Sequence, residues 1–179
     1  VDTVSAELTV SDHEMRFDDF RLITPYSQIK RKLVLNYDDY EDLEEPVDSV
    51  LFSGEITPSL VSMKDLQYFN HILNGMNQDF LISGQFSGQI SNLKTRNVYI
   101  RYGQRSYFKG KARFRGLPEV DETYMDIQAD EAATDYNDLS YLLMTEDFPS
   151  QIANAGLINF KGHFNGFIHD FVTDGRFVS

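Results

Sequence analysis

Leu81–Leu93 reads LISGQFSGQISNL, and its Gly84–Leu93 portion, GQFSGQISNL, returns late in the chain as Gly162–Phe171, GHFNGFIHDF. Both fit G-x-F-x-G-x-I-x-N/D-L/F. In Leu81–Ile90 one parity holds Ile82, Gly84, Phe86, Gly88 and Ile90, and the other holds Ser83, Gln85, Ser87 and Gln89. A strand turns successive side chains to opposite faces, so this segment has one apolar and one polar face. Glycine weakens a strand, and its recurrence on the apolar parity points to a geometric need. It leaves room there for another backbone, an aromatic ring or an elongated apolar ligand, with strong twist or a bulge as alternatives.

The same division recurs outward from this stretch. Val98, Ile100 and Tyr102 share one parity; Phe108, Gly110, Ala112 and Phe114 oppose Lys109, Lys111, Arg113 and Arg115; Ile158, Phe160, Gly162 and Phe164 oppose Asn159, Lys161 and His163. Tyr102–Arg105 has the composition of a hairpin tip. Earlier strands are expected at Ala6–Val10, Met15–Ile23, Gln28–Tyr37 and Ser49–Ile56. Helices are few and short. Ser62–Asp65 resembles a capping box, with Leu66, Phe69 and Leu73 at helical spacing before Gly75; a second helix is expected over Asp135–Leu143, and a third from Pro149 to near Gly156. The acidic run Asp38–Glu45 reads as a solvated connection with room for one helical turn. Strand segments repeated at long period predict a stacked or solenoidal sheet whose units bury their apolar faces together. The chain is expected to form one β-rich segment over 1–179, with approximate units 15–80, 81–156 and a truncated 157–179.

Bulk composition narrows the partners. The 179 residues are 41% hydrophobic, enough for a substantial core, and 28 acidic against 16 basic residues give a net charge of -12. That balance argues against nucleic acid, whose affinity comes from Lys and Arg, and disfavours an anionic membrane surface. There is no Cys, so neither disulfides nor thiolate metal sites are available. No apolar run approaches the roughly 20 residues of a spanning helix, and no stretch of this sequence reads as a signal peptide. The chain begins at Val1 and ends in the strand-like GRFVS, so it is expected to be a section of something longer, with anchors or signals lying outside it.

Reactive constellations are scarce. No nucleophile elbow, Walker loop, zincin motif or dinucleotide fingerprint occurs. Six extended residues place His163 and His169 about 20 Å apart, too far to share a metal. Asp121, Glu122 and Asp126 follow the Gly116–Pro118 turn and read as a solvated strand entry; Asp38–Glu45 lacks the glycine and ligand spacing of a calcium loop. The basic ladder Lys109, Lys111, Arg113 and Arg115 reads as a strand's polar face, set for cross-strand pairing with carboxylates or, less simply, for phosphate headgroups. Most of the 14 Phe fall on inner parities and serve a core; some are also placed to line a ligand groove.

Taken in order, the segment Ile56–Phe69, then LISGQFSGQISNL, the aromatic hairpin with Y-F-K-G, the R-G-L-P turn, ATDYNDL, and the closing K-G-x-F-x-G-F-x-x-D-F resemble the large periplasmic part of the TamB-like translocation and assembly proteins, related to AsmA. The resemblance runs from about Met15 to the end. It implies a U-shaped, β-taco-like sheet groove lined with apolar residues, part of a protein anchored in the inner membrane and spanning the periplasm. It further implies partnership with an Omp85-class outer-membrane barrel through regions outside this chain, and a role in outer-membrane protein assembly or phospholipid transport. No catalytic residue is transferred.

Fold and function are therefore expected as follows. The fold is mainly β, an elongated, curved antiparallel or solenoidal sheet with a few short helices. Function is expected to be non-enzymatic, without cofactor or metal, the clients being phospholipid acyl chains or outer-membrane protein β-strands. The groove residues are expected to be Ile82, Phe86, Ile90, Phe108, Phe114, Phe160 and Phe164. Two alternatives compete with it. One is a β-sandwich-like surface module that recognises glycan or protein through loop-tip aromatics such as Tyr102 and Tyr107; the other is a β-solenoid hydrolase, which needs convergent carboxylates.

Overall fold

Ten strands follow one another in chain order, and in a computed structural model each pairs with the next to form a single antiparallel sheet. Residues 2–67, 77–143, 156–167 and 169–178 are described. The strands are β1 (Thr3–Val10), β2 (Glu14–Ile23), β3 (Gln28–Asn36), β4 (Leu51–Ser62), β5 (Asp79–Gly88), β6 (Asn92–Tyr102), β7 (Ser106–Arg115), β8 (Tyr124–Asp135), β9 (Leu157–Phe167) and β10 (Asp170–Val178). Short helices α1 (Pro46–Ser49), α2 (Met63–Leu66) and α3 (Tyr136–Leu143) lie in the connections. The acidic run contains one tight turn, Tyr40–Leu43, capped by the Asp39 side chain on the Glu41 N–H. The sheet does not close; β1 and β10 are its free edges.

Registers assign the faces. Paired residues in an antiparallel ladder point the same way, so Leu8, Phe17, Leu33, Gly54, Phe86 and Thr95 form one row across β1 to β6. Ile82, Ile100, Phe108, Ala132, Phe160 and Phe177 form a second row on that side, from β5 to β10. The opposite face carries rows such as Lys32, Glu55, Gln85 and Arg96. A continuous apolar face therefore runs from one edge to the other.

Curvature has an identifiable source. Every pairing except β9 with β10 contains a register shift, and the shifts fall inside successive strands, at Phe17/Phe20, Gln28/Arg31, Ile56/Ser59, Ser83/Gln85, Lys94/Val98 and Ala129/Ala132 among others. A bulge bends its strand and increases local twist, so a line of bulges makes a crease across the sheet. Asp19 (φ 48) and Asn97 (φ 50) sit at two of these bulges, and Asp and Asn are the non-glycine residues that tolerate this backbone region. Pro58 lies within another, where the ladder needs no N–H from it.

The crease leaves the apolar face half covered. Only Leu33, Tyr37, Val50, Phe80, Ala129 and Ala133 are buried among the described hydrophobic residues. Ile82, Phe86, Phe108, Phe114, Phe160 and Phe164 are all half-buried. The chain exposes 11380 Å² for its 20.6 kDa, against roughly 8900 Å² for a compact monomer of that mass. Among the described residues, no second sheet packs on the first, unlike the two facing layers of a sandwich.

Several local expectations differ from the structure. The capping box at Ser62 does not form: Ser62 closes β4 without capping α2, and Asp65 is drawn away to the hydroxyls of Thr24 and Ser27, the first at 2.5 Å. Helix α3 matches Asp135–Leu143, with the Asp135 carboxylate accepting from the Asp138 N–H at 3.0 Å as an N-cap. The continuation of the first helix past Gln67, and most of the third, lie outside the described residues. His169 sits in the turn between β9 and β10, not on one strand with His163.

Candidate functional site

Where the crease is deepest, β4 to β8 enclose an open cavity of about 360 Å³ on the apolar face. Its wall brings together Ile82, Phe86, Phe108 and Phe114, and adds Ile56, Val98, Ile100, Ala112 and Ile127. The added residues were missed because their own parity says only which face they occupy. Which strands meet at one hollow is set by the bulges.

The glycines of the motif are seats for rings and backbone. An ideal Cβ on Gly54 would lie 2.7 Å from the Phe86 Cζ, so the Phe86 ring of β5 rests directly on the bare backbone of β4. Phe108 covers Gly110 of its own strand in the same way, at 2.9 Å, and Phe160 covers Gly175 and Gly162, at 2.6 and 2.9 Å. The ring edges of Phe86 and Phe108 therefore rest on bare backbone in the cavity wall. The room is used by the protein's own aromatics, and what stays open lies above them.

The remaining expected groove residues are elsewhere. Phe160 and Phe164 lie on the same face but on β9, beyond the cavity, stacked on Phe177 and Phe171 of β10 with centroids 4.7 and 4.5 Å apart. Ile90 is not on a strand and does not line the cavity. Strand β5 ends at Gly88 (φ 120), and the Asn92 N–H donates to the Gln89 carbonyl at 3.0 Å, which puts Ile90 in the turn. The sequence parity ran past the real strand end.

Polar chemistry sits on the other side of the sheet. In the basic ladder, Lys109 meets Glu131 at 2.9 Å, and hydrogen bonds from the Tyr107 hydroxyl and then from Lys109 hold the Glu131 carboxyl below its usual range. Among the described residues, carboxylate pairing in this ladder stops there. Arg113 faces Asp126 in register but gives its Nε–H to Asn92 at 3.0 Å, and Arg115 lies over the Tyr124 ring at 4.8 Å. Tyr102 and Tyr107 are tied to Thr134 and Glu131 of β8, so neither ring stands free at the hairpin tip. Asp121 and Glu122 lie in a tight turn and Asp126 on the polar face of β8. Among the described residues, no group of three His, Cys, Asp or Glu is placed to hold a metal ion.

A second polar cluster fixes one end of the cavity's strands. The β6–β7 hairpin turns at Gly103 (φ 59), and the buried Asp138 carboxylate of α3 accepts from the Gln104 and Arg105 N–H groups at 3.0 and 2.9 Å and from the Ser106 hydroxyl at 2.8 Å. Burial alone would raise this carboxyl's pKa. The donated hydrogen bonds from Arg105, Gln104 and Ser106 outweigh it and leave the pKa below the ordinary value.

No protein-family model, no curated protein and no solved structure matches the chain. The likeness to the TamB-like proteins therefore rests on the ordered motifs alone.

Proposed function

We propose that this chain is a non-enzymatic section of a hydrophobic β-groove that shelters acyl chains, of the kind TamB-like proteins extend across the periplasm in outer-membrane biogenesis. The observation that carries the reading is the half-covered apolar face with an open cavity walled by Ile82, Phe86, Ile100, Phe108 and Phe114. Each buried CH₂ contributes about 0.8 kcal/mol, so even a partly enclosed acyl chain gains several kcal/mol there. Such a function needs surface and curvature, and a reactive cluster would add nothing to it. The free edges β1 and β10 support a second reading, in which a client β-strand adds to the sheet through backbone hydrogen bonds. Every residue of both edge strands is exposed, Leu8, Val172 and Phe177 among them.

Native mass spectrometry and lipid extraction test the proposal on protein purified from a membrane-containing bacterial lysate. Wild type is expected to carry phospholipid, and a folded Phe86→Asp variant, with a carboxylate in the cavity wall, to lose it. Lipid-free wild type, or equal lipid on both proteins, overturns the acyl-chain reading.

A further inference from the structure

The apolar face carries one misfit. Pairing places Arg31 of β3 on it, opposite Phe20 of β2 on one side and Ile56 of β4 on the other. Among the described residues that pairing assigns to this face, Arg31 alone is charged. Its sequence neighbours Lys30 and Lys32 point to the polar side, where Lys32 meets Asp18 at 3.1 Å.

Arg31 also lacks an anion. The guanidinium lies over the Phe20 ring, 4.4 Å from its centroid. Its Nε is shielded from solvent and without a hydrogen-bond partner, and no described carboxylate reaches it. Desolvation lowers its pKa from the ordinary value, but an arginine stays protonated in proteins. An unpaired charge in such surroundings costs stability, and a plain hydrophobic residue would fit this position better. Ile56, directly across the ladder from Arg31, is part of the cavity wall. Arg31 therefore stands one strand beyond the cavity's β4 wall, and its residue also borders a separate polar hollow with Asp18, Lys32 and Glu55.

We propose that the groove takes an amphiphile with an oxyanion head, its carboxylate or phosphate seated on Arg31 and its chain running over Ile56, Ile82 and Phe86 toward Phe108. This rests on the acyl-chain reading of the groove. From β3 to β7 is four inter-strand spacings, about 19 Å at about 4.8 Å each. Half the hydrocarbon thickness of a bilayer is about 15 Å, so a membrane-length chain headed at Arg31 covers about three of the four spacings, over β4 and β5 to β6. The planar guanidinium fork suits a carboxylate or phosphate, donating two parallel hydrogen bonds. The molecule's net charge of -12 repels anions at long range, so a preference for an anionic head has to come from a local cation.

The test compares three probes, a fluorescent eighteen-carbon fatty acid, its methyl ester and lysophosphatidic acid, on the wild-type chain and on Arg31→Met. At least one anionic probe is expected to bind wild type about tenfold tighter than the ester. Arg31→Met is expected to remove that preference while leaving ester affinity within about twofold, and Arg31→Lys to retain part of it. Whichever anionic probe binds tighter identifies the head as carboxylate or phosphate. Arg31→Gln gives the same comparison if the Met variant does not fold. Acid, phosphate and ester binding alike to both proteins overturns the Arg31 site and leaves the groove standing; no probe binding at all overturns both.

Discussion

Asp138→Asn isolates the clamp that joins α3 to the β6–β7 hairpin. The carboxylate accepts from two backbone N–H groups, at 3.0 and 2.9 Å, and from the Ser106 hydroxyl at 2.8 Å. Asparagine keeps one oxygen but turns an NH₂ donor toward groups that are themselves donors. The 3.0 Å bond from the Gln104 N–H to Oδ1 is lost, and the bonds that an oxygen at the Oδ2 position keeps, from Gln104 at 3.2 Å, Arg105 and Ser106, go to a neutral acceptor. Hydrogen bonds to charged groups contribute about 1.5–3 kcal/mol, so the variant is expected to lose about 2–3 kcal/mol. In a chain of 179 residues that lowers Tm by roughly 4–12 °C.

The pH dependence adds a sign that a packing defect would not produce. The folded-state pKa of Asp138 lies below its unfolded value, so its contribution is fully present above the unfolded value, near about 4, and is lost as pH falls through the folded one. Wild type and Asp138→Asn should therefore differ at pH 7 and converge as the pH falls below about 4. Thermal melts across that range measure the convergence. Amide hydrogen exchange at Gln104 and Arg105 should quicken in the variant at neutral pH. A Tm within 1 °C of wild type at pH 7, or a gap that stays constant down to pH 3, would refute the clamp.

Gly54→Ala is expected to destabilise by about 1–2 kcal/mol in urea, because overpacking costs about 1–3 kcal/mol and the gain of Ala over Gly in a strand offsets only part of it. The new Cβ would lie 2.7 Å from the Phe86 Cζ and collide with the Lys32 carbonyl; a variant as stable as wild type would mean that the ring does not rest on this glycine. Arg31→Met is expected to be as stable as wild type or more stable by up to about 1 kcal/mol, since loss of the ring contact, about 0.5–1 kcal/mol, is offset by removal of a desolvated charge. Urea denaturation showing a loss above about 1 kcal/mol would reveal a partner for the guanidinium.

The alternation in Leu81–Gly88, Phe108–Phe114 and Ile158–Phe164 was enough to read strands and faces, because a period of two is a local property. Strand ends were less legible. Ile90 keeps the parity of Phe86, and only the backbone turn after Gly88 takes it out of the strand. The Ser62 capping box failed for a long-range reason, since Thr24 and Ser27, far off in sequence, compete for Asp65. Ile56, Val98 and Ile127 reach one cavity through bulges, and the sequence marks those only faintly, by Asp19 and Asn97 at positive φ and by Pro58. The clamp at Asp138 was invisible because the sequence does not say that α3 folds back on the hairpin.

Arg31 was legible in part: Ile29, Arg31, Leu33 and Leu35 share a parity, so a cation on an apolar stripe can be read from KRKLVL and its neighbours. What the sequence withholds is whether the head escapes to solvent, as long basic side chains usually do. The bulges flanking it, Phe17/Phe20 and Gln28/Arg31, bring Phe20 beneath the guanidinium and keep the group on the inner side. A stability argument and a binding argument then point in opposite directions at one residue. Replacement by Met relieves a half-buried, unpaired charge and should not weaken the sheet, yet it removes the only described positive group on that face. Residues kept against the interest of the fold are where function is most economically sought. Here that residue stands one strand from the cavity wall, on a face where pairing assigns no other described charge.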